Sequence, residues 1–453
     1  MNALDLYPVV KDNWAFFLRP DGGYLKNTDA NRSILDYGIW DLTPLAVETL
    51  LLCDGSRKGR DVLNVIYNSC SADDFSPPES AARFLSKALQ KGIIYLKETP
   101  DNHRLAIKGS KDKYYPMHFA IELTDACNLR CKHCYRECRP DSENYIPATI
   151  LINILNKLKE IDVQSLEISG GEPMFHPDFR IILEHALSNF GAVALLTNGT
   201  LFDVEVYEII SRYREKILVQ VDLDGFNSEE HDFLRGIRGS FDKAATSIQE
   251  LSERGVKVRV AMTLHSKNYN SVEKIYSLAK SLGATWFTCS PLIDIGRASK
   301  EMLPTWDQLK KAMECLNALA EEDPETVLTA AELKRLGQKL GSNCGAGSRS
   351  IALGPDGQLR PCFLVNKAIP GFKNIFRIAL EDALIDAPLK FFRDLEPPCP
   401  ELCGGCKYVI FCYGCIMRPF IAWDREKNSN EFRCLWREST GLKDLMEQER
   451  SDL

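Results

Sequence analysis

From Met117 onward, apolar runs of four to seven residues alternate with stretches of helical period. The apolar runs predict strands beginning near Met117, Ser165, Ala192, Ile217, Val256 and Trp286. Helices fit between them, near residues 147–160, 178–188, 203–213, 241–254 and 270–282. Strand–helix alternation of this length implies a parallel sheet. Six such units predict an open, partial (β/α)6 barrel, because eight are needed to close one. The first hundred residues follow another pattern. In WAFFLRPDGGYL, apolar runs flank Asp21-Gly22-Gly23, a hairpin signal. Thr43-Pro44 opens a helix that runs to about Cys53 and stops at Gly55. Asp61 to Asn68 is a second short helix. Ser76-Pro77-Pro78-Glu79 reads as a capping box, and the helix after it stops at Gly92. Ile93 to Leu96 is a closing strand, so residues 1–100 form a small α+β domain. Residues 99–115 are polar and read as a linker. The barrel is expected over 117–300, a charged helical connection over 301–340, and a cysteine-rich domain over 341–453.

Composition narrows the function classes. The chain has 453 residues, enough for several domains, and a formal net charge of -7 with no basic stripe. Nucleic acid is therefore not an expected partner. The first thirty residues include Lys11, Asp12 and Asp21 and lack the apolar core of a signal peptide. No apolar run approaches a membrane span, so a cytoplasmic protein without membrane contact is expected. In that reducing compartment sixteen cysteines favour metal ligands or reactive thiols over disulfides. Cys53, Cys70, Cys289 and Cys315 are scattered and read as packing residues. The rest are clustered.

The chemistry-bearing residues fall just after strands, at the carboxyl edge where parallel folds place their sites. The first strand runs into Thr124-Asp125-Ala126-Cys127, with Cys131, Cys134 and Cys138 following. The second meets Ser169-Gly170-Gly171-Glu172-Pro173, the third Thr197-Asn198-Gly199, and the fourth Asp222-Leu223-Asp224-Gly225. Three thiolates at 127, 131 and 134 can hold three irons of a cubane and leave the fourth for a substrate or cofactor. A zinc knuckle, or three cysteines buried as small hydrophobes, would use the same spacing. Cys138 is too close to the third cysteine to be needed and reads as incidental.

CxxxCxxC, GGEP and TNG in this order resemble the radical S-adenosylmethionine superfamily, over residues 117–300. The resemblance implies a [4Fe–4S] cluster on Cys127, Cys131 and Cys134, with S-adenosylmethionine on the open iron. It places Gly170, Gly171 and Glu172, with Ser169 beside them, at the methionyl amine. It sets His133 beside the adenine, Asn198 and Asp222 at the ribose hydroxyls, and Arg235 at the methionyl carboxylate, with Arg297 its rival. For these last four a structural role stays open.

Further on come Cys344, Gly357 and Cys362, then Cys399, Cys403, Cys406, Cys412, Cys415 and Cys434. Paired zinc ribbons are one source of such spacing. The pattern also resembles the SPASM extension of peptide-modifying radical enzymes, which carries one or two auxiliary iron-sulfur clusters. Here two residues, not the family's three, separate Cys412 from Cys415. The resemblance implies an outer cluster on Cys403, Cys406, Cys412 and Cys434 and an inner one on Cys344, Cys362 and Cys415. Cys399 completes the inner set, or an iron stays open for a substrate thiolate.

The N-terminal layout resembles the winged-helix leader-recognition element of maturases that act on ribosomally made peptides. The stretches GGEPMFHP, LTNGTL, RGIRGSF, VRVAMTL and NCGAGSRSIAL resemble the sactisynthases among them. That family joins a cysteine sulfur to an α-carbon of a precursor peptide, fed by an electron donor such as flavodoxin or ferredoxin. No side chain is needed as a general base if a cluster lowers the thiol pKa. Thioethers at β- or γ-carbons and carbon–carbon crosslinks are the alternatives among enzymes. A cluster-bearing scaffold is the alternative outside them.

Overall fold

A computed structural model describes residues 2–28, 39–69, 77–328, 345–347, 350–365, 373–384, 387–406, 409–412, 415–419 and 434–440. The chain divides into two compact units, Met1–Tyr115 and Pro116–Leu453. In the first, β1 (Tyr7–Val10) is followed by β2 (Trp14–Arg19), β3 (Gly22–Asn27) and β4 (Ile39–Leu42). Next come α1 (Pro44–Leu51), α2 (Gly59–Ser69), α3 (Pro77–Gln90), β5 (Ile94–Lys97) and β6 (Ala106–Gly109). The predicted hairpin is β2–β3, closed by Arg19 opposite Gly22. Gly22 has φ +128°, and a Cβ there would lie 2.2 Å from the Leu42 carbonyl. Thr43 caps α1 by accepting from the Ala46 N–H. Ser76, expected to cap α3, lies outside the described residues. Phe16, Leu25 and Leu50 are fully buried where the sheet meets the helices.

The segment read as a linker is part of this unit. β6 pairs in parallel with β2, giving a four-stranded sheet in the order β4-β3-β2-β6. Its four residues are all exposed, so the alternation that marks a half-buried strand is missing. β1 pairs antiparallel with β5.

The second unit is built on an eight-stranded sheet. β7 (His118–Glu122), β8 (Ser165–Ser169), β9 (Ala192–Thr197), β10 (Ile217–Asp222), β11 (Lys257–Leu264) and β12 (Trp286–Pro291) pair in parallel in chain order. Between them run α4 (Ala148–Glu160), α5 (Phe179–Asn189), α6 (Val204–Arg212), α7 (Ser228–Arg235), α8 (Ser240–Glu253) and α9 (Val272–Ser281). This is the expected open barrel, with α7 as an extra helix. It is capped by Asn227 and ended by Gly236 at φ +74°. Fully buried Val193, Val219, Val258 and Phe287 line the sheet, each such side chain contributing about 1.5–3 kcal/mol. After α10 (Trp306–Glu322), β13 (Ser350–Leu353) pairs in parallel with β7 and turns back into β14 (Leu359–Arg360). The cysteine-rich segment therefore begins inside the barrel sheet, on the edge beside the first barrel strand. Among the described residues no helix is long and apolar enough to cross a membrane.

Candidate metal centre

The three cysteines of the first motif lie in the loop after β7. Cys127, Leu129, Cys131 and Cys138 form one buried cluster, with Cys134 packed against it. Each of the three predicted ligand sulfurs faces an N–H group. The Leu129 N–H lies 3.4 Å from Cys127 Sγ and the Cys138 N–H 3.4 Å from Cys134 Sγ. Arg235 Nη1 is 3.9 Å from Cys131 Sγ, and Asn198 Nδ2 is 3.9 Å from Cys127 Sγ. Burial pushes the Cys127 thiol up to about 12 and raises that of Cys131. The Cys138 thiol holds Cys134 down at about 5. Cys138, read from its spacing as incidental, thus sits against the Cys134 sulfur.

The glycine pair exists because two loops touch. Gly171 N–H donates to the Thr124 carbonyl at 2.6 Å, and Glu172 N–H donates to the Ala126 carbonyl at 2.9 Å. A Cβ on Gly171 would lie 2.2 Å from the Ala126 oxygen, and one on Gly170 would lie 2.7 Å from the Thr124 oxygen. Gly170 also has φ +134°, which favours glycine. Ser169 ends β8, and its carbonyl accepts from Leu123 N–H at 2.9 Å. The Glu172 carboxylate is fully buried. It accepts from Thr197 Oγ1 at 2.8 Å, Asn198 N–H at 2.9 Å and Met174 N–H at 3.2 Å. Burial outweighs these donors and lifts its pKa to about 7.

Asn198 closes the next link. Its Nδ2 donates to Asn128 Oδ1 at 2.9 Å, and its Oδ1 accepts from Thr200 N–H at 2.9 Å. Strand ends β8 and β9 and the cysteine loop are thus one hydrogen-bonded body. His133 is half-buried, with its Nδ1 enclosed without a partner. Burial holds its pKa near 3, so the ring is neutral.

The resemblance gave Arg235 to the methionyl carboxylate and Asp222 to the ribose, but in the structure the two are paired with each other. Arg235 is 4% exposed and bridges Asp222, at 3.2 Å, and Asp224, at 2.5 Å, while reaching Cys131 Sγ. Two carboxylates and a sulfur thus compensate the buried guanidinium. Arg297, the rival, donates to the Cys138 carbonyl at 3.1 Å, and its own N–H donates to the Cys134 carbonyl at 3.0 Å. Asp224 was missed, although Asp222 and Asp224 stand two apart at a strand end and so share a face.

A second missed group is Glu122, the last residue of β7 and fully buried. It accepts from Tyr135 Oη at 2.7 Å, from Arg136 Nη1 at 2.7 Å and from Arg360 Nη2. Arg360 Nη1 donates onward to the Val365 carbonyl at 3.1 Å. The turn that carries Cys362 is thereby tied to the two residues that follow Cys134. No sequence motif joins positions 122 and 360. A lone acidic residue in an apolar strand was the available signal.

Cys344 lies outside the described residues. Five of the other predicted auxiliary cysteines gather in one core. Buried Cys403 shares it with Phe392, Leu395, Ile416, Met417 and Trp436, while Cys362, Cys406, Cys415 and Cys434 pack against it. Buried Cys412 is held up at about 12 by burial, with Cys434, Cys406 and Cys415 adding to the rise. Cys399 is the N-cap of the short helix Pro400–Cys403, and its carbonyl accepts from Cys403 N–H at 2.9 Å. Soft thiols enclosed with N–H donors at the first site suit iron-sulfur clusters, whose anionic sulfurs take such hydrogen bonds.

Residues 121–279 match the Radical SAM superfamily. The subtilosin biosynthesis protein AlbA of Bacillus subtilis is 31% identical over 461 aligned residues, covering 98% of each chain. The mycofactocin maturase MftC of Mycobacterium tuberculosis is 28% identical over 68% of this chain and 80% of its own. Among solved structures, Streptococcus suis SuiB bound to its precursor peptide SuiA superposes with a TM-score of 0.62 at 16% identity. That match spans 93% of this chain and 97% of SuiB and speaks to the fold. The chain belongs to the Radical SAM superfamily, enzymes that use a [4Fe–4S] cluster and S-adenosylmethionine. Within it, the chain belongs to the family of the bacteriocin-biosynthesis protein AlbA.

Proposed function

We propose that this enzyme matures a ribosomally made precursor peptide by forming thioethers between cysteine sulfurs and α-carbons. The likeness to AlbA along the whole chain carries this reading, because it includes the first unit and the cysteine-rich end as well as the barrel. When bound, the cluster and S-adenosylmethionine supply a 5′-deoxyadenosyl radical that removes a hydrogen atom from the peptide. Cys127, Cys131 and Cys134 hold that cluster. The strand-end segment Ser169-Gly170-Gly171-Glu172, with Asn198, Asp222 and His133, lines the cofactor's place. Glu172 and Asn198 act by bracing the loops, and Arg235 acts through Cys131.

Cys362, Cys399, Cys403, Cys406, Cys412, Cys415 and Cys434, with Cys344, hold the auxiliary clusters. A cluster held there would supply an iron for the substrate thiolate, which would lower the thiol's pKa. The first unit binds the leader as an added strand at an open edge of its four-stranded sheet, raising the local concentration of the core peptide. Working divisions are 1–100 for the leader, 117–300 for the radical, 301–340 for connection and 341–453 for the auxiliary clusters. The enzyme works in the cytoplasm with a flavodoxin- or ferredoxin-type donor. The test is anaerobic reaction of the reconstituted enzyme with a leader-bearing, cysteine-containing peptide. Tandem mass spectra should show products lighter by a pair of hydrogens per crosslink, with the new bond at an α-carbon. A bond at a β- or γ-carbon would refute the linkage, and absence of 5′-deoxyadenosine would refute the class.

A further inference from the structure

We propose that the face over Cys131 docks a small acidic protein that carries single electrons. The proposal rests on the reading that Cys127, Cys131 and Cys134 hold the radical cluster. The chain is acidic overall, with a net charge of -7, yet this face is basic. Arg130 and Lys132 are exposed, and between them Cys131 points inward at 8% exposure. The loop lies flat on the end of α7. Arg130 N–H donates to the Arg235 carbonyl at 3.1 Å, and Lys132 N–H donates to the Leu234 carbonyl at 2.8 Å.

The basic groups are concentrated there by packing, not by sequence. Lys132 Nζ lies 3.6 Å from the centre of the Phe233 ring, and Lys267 Nζ lies 4.1 Å from the same centre. Two ammonium groups from distant parts of the chain are thus held on one aromatic ring, against their mutual repulsion. Exposed Arg238 and Ile237, the latter 37% exposed, continue the face on the turn after α7. The nearest acid on that helix, Asp232, is turned away to accept from Gly239 N–H at 2.7 Å, Ser240 Oγ at 2.7 Å and Phe241 N–H at 2.8 Å. Its carboxylate keeps its charge but is fixed on the start of α8.

A basic rim around an apolar centre fits a negatively charged partner, and its position over a cluster ligand fits one that delivers electrons. In the step itself a reduced flavin, as the anionic hydroquinone, loses one electron and becomes the neutral semiquinone. The cluster gains that electron and passes to its reduced state, and no proton moves.

The test uses the reconstituted enzyme, flavodoxin hydroquinone and a stopped-flow reading of cluster absorbance. Lys132→Glu/Lys267→Glu should slow reduction by flavodoxin about tenfold or more at low salt and flatten its salt dependence. Lys267→Glu, outside the cysteine loop, should slow it about threefold and keeps the test open if the double variant fails to load its cluster. With saturating dithionite, Lys267→Glu should form 5′-deoxyadenosine at the parent rate. Equal flavodoxin rates in parent and Lys267→Glu, each with normal dithionite activity, would overturn the docking face and leave the radical reading intact. Loss of flavodoxin reduction when a saturating precursor peptide is added would assign the face to the peptide, also overturning the proposal. No 5′-deoxyadenosine from the parent with dithionite would instead count against the radical reading.

Discussion

The two cysteine sites of this protein are built in different ways. At the barrel edge, three cysteines from one short loop sit at the ends of parallel strands, and each sulfur already faces an N–H. The backbone that places them is fixed by the sheet and by contacts such as Gly171 N–H to Thr124 O at 2.6 Å. In the C-terminal field, cysteines from several separate segments meet among Phe392, Ile416 and Trp436. The elements around them are short, such as Pro400–Cys403, Val409–Cys412 and Leu435–Ser439. Helices of that length do not hold themselves in water. The first site is framed by the sheet, whereas the short elements of the second have no such frame and, on the proposed assignment, would draw their order from the clusters.

The largest test of that contrast is chemical. Cys127→Ala/Cys131→Ala/Cys134→Ala should reduce 5′-deoxyadenosine to background, while the auxiliary iron and peptide binding persist. Measured iron per chain and a peptide titration check both halves. Removal of iron by an anaerobic chelator comes next. Hydrogen exchange should then rise sharply across 387–406 and 434–440, while β7 to β12 keep their protection. Equal loss in both regions would end the distinction.

Arg235→Gln leaves buried Asp224 without its partner and should cost about 3–5 kcal/mol of stability. It should also move the reduction potential of the radical cluster to more negative values, since a positive charge near Cys131 is removed. Arg235→Lys should restore part of the potential, as read by redox titration of the cluster's electron paramagnetic resonance signal. The smallest effect expected is on pH. Glu172 has a folded-state pKa near 7 in place of 4.5, so folding favours its protonated form. That contribution is complete below about pH 4.5 and is lost as pH rises through 7, about 3 kcal/mol in all. Between pH 5 and 8, thermal melts of Glu172→Gln should fall less steeply with pH than those of the parent.

The open barrel was legible because its strands are continuous apolar runs between amphipathic helices, a pattern set by burial on both faces. The N-terminal module was legible only in part. The strand at Ala106–Gly109 carries no apolar alternation, since its four residues face solvent and its partner supplies only backbone hydrogen bonds. In the site, the cysteine loop and Gly170-Gly171 were visible as motifs, and tertiary contact explains them. The first glycine needs its positive φ and the second a close approach to Ala126. The partners of Asp222, Arg235 and Asn198 were not legible, because a polar side chain pairs with whatever the fold brings nearest. Arg235 has a carboxylate on each of two positions of one strand end and a sulfur from another loop, and no spacing rule connects the three.

By itself the sequence determined the class of protein: six parallel strands, a three-cysteine loop suited to an iron site with one place free, and a second cysteine field. Those features are local, set by hydrophobic period and by spacings of a few residues. The tertiary structure decided how they are joined. β13 extends the barrel sheet beside β7, and Glu122 ties Arg136 of the first site to Arg360 of the second. It also decided that Lys132 and Lys267 share one aromatic ring above Cys131. Such contacts join residues more than a hundred positions apart, where the packing of whole elements, not the chain's local chemistry, selects the partner.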